Sequence, residues 1–244
     1  MIVKADFHIH SCLSPCASLE MSPGNILKKA EEAGLNWIAL TDHNSSLNCQ
    51  ALYDLSKKSK VRCLFGLEVT SVEEVHLLTL FDNLESASSF GEWIYENLPD
   101  IPNQIDRFGD QVVVDASENI IEQVEKYLGL ASNLSISEII EDVHSDGGIV
   151  IPAHIDRPLF GIISQLGFLP FEKFDGIEIS RRYYANQGAP IKNAEKYTAI
   201  TNSDSHDLDS IGKAYNIIDT EDYTIEALKE ALIKKRINKE INSL

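Results

Sequence analysis

The 244-residue chain has few basic side chains: 21 lysines and arginines stand against 38 aspartates and glutamates, a formal net charge of −17. Sequence-independent binding to long nucleic acids depends on Lys and Arg side chains that neutralise phosphates. This composition argues against such binding, so we expect no duplex nucleic acid among the partners.

Cysteine, glycine, proline and long apolar runs are also scarce. Four cysteines are too few for a disulfide scaffold in a chain of this length, and 13 glycines with 8 prolines exclude a collagen-like or low-complexity chain. No run approaches the roughly 18 uninterrupted apolar residues of a membrane span. The N-terminus enters β-like sequence at once, without a basic signal-type region. We therefore expect a cytoplasmic protein with no membrane partner.

The remaining composition, 43% hydrophobic and 24% charged, is typical of one globular domain, here expected over residues 1–244. Short apolar or β-branched runs alternate with helical patterns. The predicted strands are Ile2–Phe7, Trp37–Thr41, Val61–Leu67, His76–Phe81, Ile149–Ala153, Gly176–Ser180 and Thr198–Thr201. Strands that alternate with helices form parallel βαβ units, and about seven of them favour a closed or nearly closed α/β barrel.

The alternation lapses between Asp82 and Leu134, where a single connection contains some fifty residues. Helical patterns over 84–97 and 117–130 flank the loop Pro99–Gly109. We interpret this segment as an insert with helices of its own.

The positions of the seven histidines indicate function, because six of them lie at or beside predicted strand ends. His8 and His10 are two residues apart at the end of the first strand, so their side chains point to the same face. In a parallel barrel all strand carboxyl ends open onto one face, where the side chains converge. The converging set is His8, His10, His43, Glu68, His76, His154, Asp204 and His206. The seventh histidine, His144, lies inside a predicted helix and is expected to be exposed.

Imidazole and carboxylate ligands suit Zn²⁺, Mn²⁺ or Fe²⁺, and a carboxylate such as Glu68 can bridge two ions. The set contains too many ligands for one centre. Ions a few ångströms apart can hold both the attacking and the departing oxygen of an in-line displacement, as in phosphoester hydrolysis. Asp6 and Asp42 adjoin ligand candidates and could orient an imidazole.

Taken in order, these residues resemble the motifs of the PHP family, the polymerase and histidinol phosphatase superfamily. The motifs are His8-x-His10, Thr41-Asp42-His43, Gly66-x-Glu68, His76, His154 and Asp204-x-His206. The resemblance implies a distorted (β/α)7 TIM-like barrel with a trinuclear metal site. It is closer to the stand-alone phosphoesterases with a helical insert than to histidinol phosphatase.

The resemblance also implies how the ligands divide among three ions. His8, His10, Glu68 and Asp204 would hold the first; Glu68, His76 and His154 the second; His43, His206 and Cys16 the third. Cys16 stands where many members have histidine, and a thiolate is a good zinc ligand. The other cysteines, Cys12, Cys49 and Cys63, are expected to be small buried residues.

Phosphate binding calls for cations besides the metals. Arg157 follows His154 by three residues, and Arg181 with Arg182 follows the strand at 176–180, so all three should stand at the barrel mouth. A planar guanidinium can bind phosphate through two hydrogen bonds. Arg107, in the insert loop, could fold over the site.

These observations predict a metal-dependent phosphoesterase with two or three Zn, Mn or Fe ions. A metal-bridging hydroxide would attack a small phosphomonoester or short phosphodiester, such as a nucleotide or an oligonucleotide end. Glu68, Asp204 and Arg157 are the expected catalytic residues. Glutamates of the insert, among them Glu85, Glu92 and Glu96, would repel a long strand.

Two other functions are consistent with the pattern. An amidohydrolase also has a His-x-His pair on its first strand, but no lysine stands at a mid-barrel strand end here to serve as a modified bridging ligand. A non-catalytic metal-binding regulatory module is the other, although the nearly complete ligand set argues against it.

Overall fold

The computed structural model describes residues 1–186 and 188–242. Its strands are β1 (Ile2–Ile9), β2 (Trp37–His43), β3 (Arg62–Thr70), β4 (His76–Phe81), β5 (Val112–Val114), β6 (Ile120–Gln123), β7 (Ile149–Pro152), β8 (Ile177–Glu178), β9 (Ala199–Ile200), β10 (Ala214–Asp219) and β11 (Ile237–Ile241). Its helices are α1 (Pro23–Glu32), α2 (Cys49–Ser56), α3 (Leu84–Glu96), α4 (Ile105–Phe108), α5 (Ile136–Ser145), α6 (Ile162–Leu166), α7 (Arg181–Ala185) and α8 (Ile225–Ile233).

The main sheet curls into a half-barrel with the strand order β11-β10-β1-β2-β3-β4-β7, and the short pair β8–β9 continues it. The amide of Asp175, just before β8, donates to the carbonyl of Val150 in β7 at 3.0 Å. On the other side, Ser205 beyond β9 forms a parallel bridge with Ile9 of β1. The predicted α/β barrel is confirmed, with β10 and β11 as two strands that the sequence patterns did not predict.

The βαβ pattern predicts that all strands of the barrel are parallel, and this prediction is wrong for β4. β1, β2 and β3 are parallel neighbours, whereas β4 is antiparallel to both β3 and β7. A tight connection between β3 and β4 allows this reversal, because antiparallel neighbours need no crossover helix. The rim of the barrel therefore combines the carboxyl ends of β1, β2, β3 and β7 with the amino end of β4.

The helices are short and pack one apolar side on the barrel. Helix α1 begins at Ser22, whose hydroxyl accepts from the amide of Asn25 at 3.2 Å, and it buries Ile26, Leu27 and Ala30 against the sheet. The longest of the described helices, α3, has 13 residues. Within residues 1–186 and 188–242 no helix is long and apolar enough to cross a membrane.

The insert is less helical than its pattern predicts. Helix α3 forms, but the helix expected over 117–130 is wrong, since Ile120–Gln123 pairs with Val112–Val114 in a hairpin. The carboxylate of Asp115 accepts from the amides of Ser117 and Asn119 at 2.8 and 2.9 Å, which fixes a turn. Two adjacent β-branched isoleucines then favour an extended strand over a helix.

Asn44 fastens the insert to the barrel, and its loss should destabilise the fold. Its buried amide donates to the carbonyls of Leu128 and Leu130 at 2.7 and 2.8 Å and accepts from the amide of Thr70 at 2.9 Å. Asn44→Ala leaves the two carbonyls and the amide of Thr70 without their hydrogen-bond partner. We therefore expect the free energy of unfolding to fall by about 2–4 kcal/mol in urea denaturation. The exposed Asn238→Ala is the matched control. Equal stability of the two variants would contradict this role.

Candidate metal centre

A β-bulge in β1 turns His8, and His10 just beyond the strand, toward the barrel interior. Val3, Ala5 and Phe7 belong to the apolar cluster inside the barrel, whereas Ile9 packs with the helices outside it. The pairing of β1 with β2 shifts register between Asp6 and Ile9. Bulges re-aim side chains in this way. His8 and His10 thus lie on the inner face at the rim.

The carboxylate of Glu68 is the centre of the site. It lies at the carboxyl end of β3, is 1% exposed, and has five histidine rings around it. Oε1 lies 3.2 Å from Nε2 of His8, 2.9 Å from Nδ1 of His76 and 3.0 Å from Nε2 of His154. Oε2 lies 3.3 Å from Nε2 of His10 and 3.1 Å from Nδ1 of His43.

Asp204 adds a second carboxylate at the same rim. Its Oδ1 lies 3.3 Å from Nε2 of His8, 3.5 Å from Nε2 of His10 and 3.6 Å from Nδ1 of His206. Asp204 has φ +51° and His154 has φ +26°. Such conformations cost non-glycine residues about 1–3 kcal/mol and occur mostly where function requires them.

Three overlapping sets of ligand atoms are each compact enough to hold an ion, and His10 and His43 each belong to two of them. Every set has three side chains whose donor atoms are within 4.8 Å of one another. The sets are His8, His10 and Asp204; His43, Glu68 and His76; and His10, His43 and His206. The eight histidine and acidic residues of the predicted constellation lie together at this rim, but among the described residues His154, 3.0 Å from Glu68, belongs to none of the three sets. The sets instead group His43 with Glu68 and His76, and His10 with His43 and His206.

Glu178 is a site residue that the sequence patterns missed. Its two oxygens lie 3.1 and 3.0 Å from Nδ1 of His8, and they accept from the amide of Asn202 and from the backbone of His154, each at 2.8 Å. A carboxylate can only accept here, so Nδ1 of His8 carries a hydrogen and Nε2 is the nitrogen left to face a metal. An acidic residue within the apolar run Ile177–Ile179 is the signal that could have revealed it.

A second support orients His10. Its Nδ1 lies 2.9 Å from the hydroxyl of Ser14, which donates to Asp42 at 2.7 Å. Asp42 also accepts from the amide and the hydroxyl of Ser11, both at 2.6 Å. Asp42 thus acts on an imidazole through a serine, as its place beside the ligands suggested. Asp6 instead accepts from the amide of Ser203 at 3.1 Å.

The charges of the site are set by burial and by the crowding of acids and imidazoles. Burial opposes ionisation of Glu68, but His76, His8 and His43 outweigh it and hold its pKa well below the usual range. Burial likewise opposes the charge on His8, yet Glu178, Asp204 and Glu68 raise its pKa well above normal. Burial lowers the pKa of His206 to about 4. The carboxylates are therefore ionised, and they attract a cation.

This arrangement fits divalent ions. Nε2 of His8 and Nε2 of His10 face each other at 3.1 Å, although each has its other nitrogen engaged by a neighbour. Among the described residues, the buried Nδ1 of His154 has no hydrogen-bond partner, and Nδ1 of His43 lies 3.1 Å from Oε2 of Glu68 without the alignment of a hydrogen bond. The acids raise the pKa values of His8 and His10, so a bound ion would displace protons from these two rings. Imidazole nitrogens that converge beside two ionised carboxylates are the donor set of Zn²⁺, Mn²⁺ or Fe²⁺. We conclude that the side chains present suit such ions.

The structure does not group Cys16 with the other ligands. In the part of the chain that the structure describes, its sulfur belongs to none of the three ligand sets, and the residue is exposed. Desolvation of the thiol and the nearby charges of Glu68 and Asp204 raise its pKa to about 12. Cys12 and Cys49 are buried as expected, whereas Cys63 is only half-buried.

Arg157, Arg181 and Arg182 line one cavity of about 220 Å³ together with His154, Asp204 and His206. Arg157 forms an ion pair with Asp204. Arg107 is exposed on α4, where its guanidinium lies 4.9 Å from the ring centroid of Phe108, and it does not line this cavity.

The expectation that His144 is exposed is wrong. It is half-buried rather than fully exposed, and its Nε2 lies 2.9 Å from Oδ2 of Asp175, which also accepts from the amide of Val150. Val150 lies near the start of β7, whereas His154 follows its end. His144 therefore supports the opposite end of the barrel.

The family model of the PHP domain matches residues 6–242. The chain belongs to the PHP family. An uncharacterized protein of Methanocaldococcus jannaschii, MJ1587, is 27% identical over 192 residues, which cover 75% of this chain and 84% of that protein.

Solved structures share the fold. Endonuclease Q of Pyrococcus furiosus superposes with a TM-score of 0.68 at 22% identity, over 99% of this chain and 58% of that one. The chain thus spans little more than half the length of Endonuclease Q. A protein of Bifidobacterium adolescentis classed as a metal-dependent phosphoesterase gives a TM-score of 0.54 at 20% identity, over 94% of this chain and 96% of that one.

One comparison overturns an expectation drawn from the net charge. Endonuclease Q has also been solved with a 27-mer duplex that has an abasic lesion at the active site, and this complex superposes with a TM-score of 0.64 at 21% identity. The exclusion of duplex nucleic acid is therefore wrong, because a fold of this kind holds a duplex. Local cations at a site, rather than the average charge, decide such binding.

The bond from Glu178 to His8 predicts a loss of metal affinity in Glu178→Gln. An amide binds the Nδ1 hydrogen of His8 less strongly than a carboxylate does, so the imidazole becomes a weaker ligand. We expect metal affinity to fall about 10- to 100-fold in competition titrations with a chelating dye. The exposed Glu221→Gln should bind metal like the parent protein. Unchanged affinity in Glu178→Gln would remove Glu178 from the site.

Proposed function

We propose that the protein is a metal-dependent phosphoesterase formed by one PHP domain, with the nucleic-acid phosphodiester as its substrate class. The observation that carries the proposal is the cavity that places three arginines beside the ligand-lined rim. Family membership supports hydrolytic chemistry at that rim. The proposed metal ligands are His8, His10, Cys16, His43, Glu68, His76, His154, Asp204 and His206, for two or three ions.

The arginines supply what a phosphate needs beyond metal ions. Arg157 is held at the rim by Asp204, so its guanidinium is already placed when a substrate arrives. NH1 of Arg181 is buried with no hydrogen-bond partner among the described residues, and Arg182 is exposed at the cavity edge. Because Arg181 and Arg182 line the cavity, their guanidinium groups can donate to a phosphoryl oxygen that enters it.

Each group then has a distinct role. Bound divalent ions lower the pKa of water and neutralise charge on a phosphoryl group. Glu68 and Asp204 would hold those ions, while Glu178 and Ser14 keep the rings of His8 and His10 in place. Arg157 and Arg181 would bind the non-bridging phosphoryl oxygens and orient phosphorus for attack.

Endonuclease Q supports the substrate class, because a similar fold acts there on a DNA duplex with a lesion. The cavity also continues into a groove of about 430 Å³ that shares His154, Arg157, Ser180 and Arg182 with it. A phosphomonoester needs no such extension, whereas a phosphodiester has a second substituent to place.

A substrate panel tests the proposal. Metal-loaded protein is assayed on an aryl phosphate, a bis-aryl phosphodiester, a p-nitroanilide, and single-stranded and duplex oligonucleotides with and without an abasic site. We expect hydrolysis of the diester and the oligonucleotides. Cleavage of the anilide alone would indicate an amidohydrolase, and bound metal without any turnover would indicate a regulatory module.

Glu68→Gln should reduce kcat by about 100-fold or more, because a neutral amide can no longer hold cations among five imidazoles. Circular dichroism should show an intact fold, and metal analysis should show fewer ions. His144→Ala is the matched control, since its ring lies at the other end of the barrel, and it should keep both turnover and metal content. Full activity of Glu68→Gln with unchanged metal stoichiometry would contradict the proposal.

Cys16 is proposed to complete a third centre with His43 and His206. Metal ions favour the thiolate, so binding would bring the sulfur into the site despite its raised pKa of about 12 in the free thiol. Metal analysis should show up to three ions, and Cys16→Ser should lose about one, because a hydroxyl is a poorer ligand for a borderline-soft ion. Cys63→Ser is the control. An unchanged count in Cys16→Ser would leave the histidines and acids as the complete ligand set.

A further inference from the structure

The groove beside the arginine cavity has an apolar wall that the proposed chemistry does not use. Pro158, Leu159 and Phe160 form this wall, and Arg157 and Arg182 also line the groove. The carboxylate of Asp156 lines it too, but its two oxygens accept from the amide and the hydroxyl of Ser180 at 2.7 and 2.6 Å. Leu159 is 68% exposed, and Pro158 is exposed as well. Three consecutive apolar residues beside two guanidinium groups form a surface for a ligand that is both flat and anionic.

Phe160 is held rigidly in this wall. Its ring stacks on that of His76, with centroids 4.4 Å apart and planes 11° from parallel. Its backbone has φ +58°, a strained conformation for a bulky residue, and its carbonyl accepts from the amide of His76 at 3.0 Å. The phenyl ring is therefore fixed before any ligand arrives.

The turn behind Phe160 is also closely packed. A Cβ on Gly161 would lie 2.4 Å from the carbonyl oxygen of Arg157, so only glycine permits this approach of the chain to itself. The amide of Arg157 donates to the carbonyl of His154 at 2.9 Å. The turn thus joins the aromatic wall, the arginine and a ligand candidate in one rigid piece.

We propose that this wall, Pro158–Phe160, is a stacking platform for a nucleobase next to the scissile phosphate. The inference rests on the proposed phosphodiesterase function and deepens it. Every base has a flat apolar face, and an aromatic ring beside cations that contact the backbone is the usual way in which proteins hold unpaired nucleotides. A paired base is stacked inside its duplex, so the platform selects nucleotides that are unpaired or easily flipped out.

Binding measured by fluorescence anisotropy tests the platform without relying on turnover. The probes are a labelled, phosphorothioate-linked pentathymidylate and a set of the same strand in which one position at a time lacks its base. Metal-loaded protein should bind the full strand about tenfold more tightly than the strand without a base at one position. Phe160→Leu, which keeps an apolar side chain but removes the flat ring, should abolish that difference, whereas Phe160→Tyr should keep it.

Two further variants guard against indirect effects. Leu159→Ser changes an exposed side chain that the fold does not need, and it should reduce the preference several-fold. Phe171→Leu removes an aromatic ring that is 75% exposed and lies outside the groove, so the preference should persist. Metal content of each variant shows whether His76 has been disturbed.

Three results would overturn the platform: equal binding of all the strands by the parent protein, no binding of any strand, or equal weakening of all strands by Phe160→Leu. The last would mean that Phe160 only supports His76. Hydrolysis of the bis-aryl diester without a base preference would refute the platform and leave the phosphoesterase in place. A base preference without hydrolysis of any ester would refute the enzyme and leave a nucleotide-binding site.

Discussion

Burial of one carboxylate among five imidazole rings is the constraint on which the rim of this barrel depends. A buried charge costs several kcal/mol unless opposite charge and hydrogen bonds meet it, and Glu68 is 1% exposed. Its histidine partners come from four separate segments of the chain, so all four segments must reach the same height along the barrel axis. Two departures from a regular barrel allow this convergence. A bulge in β1 turns His8 inward, and the reversed strand β4 starts with His76 at the rim.

A second layer of side chains, behind the imidazole rings, fixes which ring nitrogen faces the centre of the site. Glu178 and the Asp42–Ser14 pair each engage the far nitrogen of an imidazole, so the near nitrogens of His8 and His10 are the ones that face the centre. The strained backbones of His154 and Asp204 lie beside these supports. Strain of this kind persists only where surrounding bonds determine the conformation. The site is therefore prepared by the fold, and an ion would enter a cage that already exists.

The sequence predicted the strand ends far better than what lies between them. His8, His43, Glu68 and His154 were found because short apolar runs have readable ends, and a barrel brings such ends together. Glu178 was missed although its strand was predicted within Gly176–Ser180, because the prediction considered residues at or beyond strand ends and Glu178 lies inside that run. Strands β10 and β11 were missed because neither contains a strong apolar run: buried and half-buried residues alternate in β10, and the three central residues of β11 are exposed. The exposed strand Ile120–Gln123 was mistaken for part of a helix, because its order comes from the turn at Asp115 and from pairing with the buried strand Val112–Val114.

The wrong expectation about duplex nucleic acid has a different origin. It was drawn from the net charge of the whole chain, whereas charges act only over short distances in salt solution. At physiological ionic strength, charges are screened beyond about 8 Å, so acidic residues spread over the outer helices contribute little at the rim. Arg157, Arg181 and Arg182 line the cavity there beside the acidic side chains of Glu178, Asp204 and Asp207, so its net charge depends on the cations that the buried carboxylates attract. A chain with a net charge of −17 can thus present a cationic mouth to a phosphate. Its acidic exterior would still oppose contacts far from the mouth, which favours recognition concentrated at one phosphate and its neighbouring base over a grip along many base pairs.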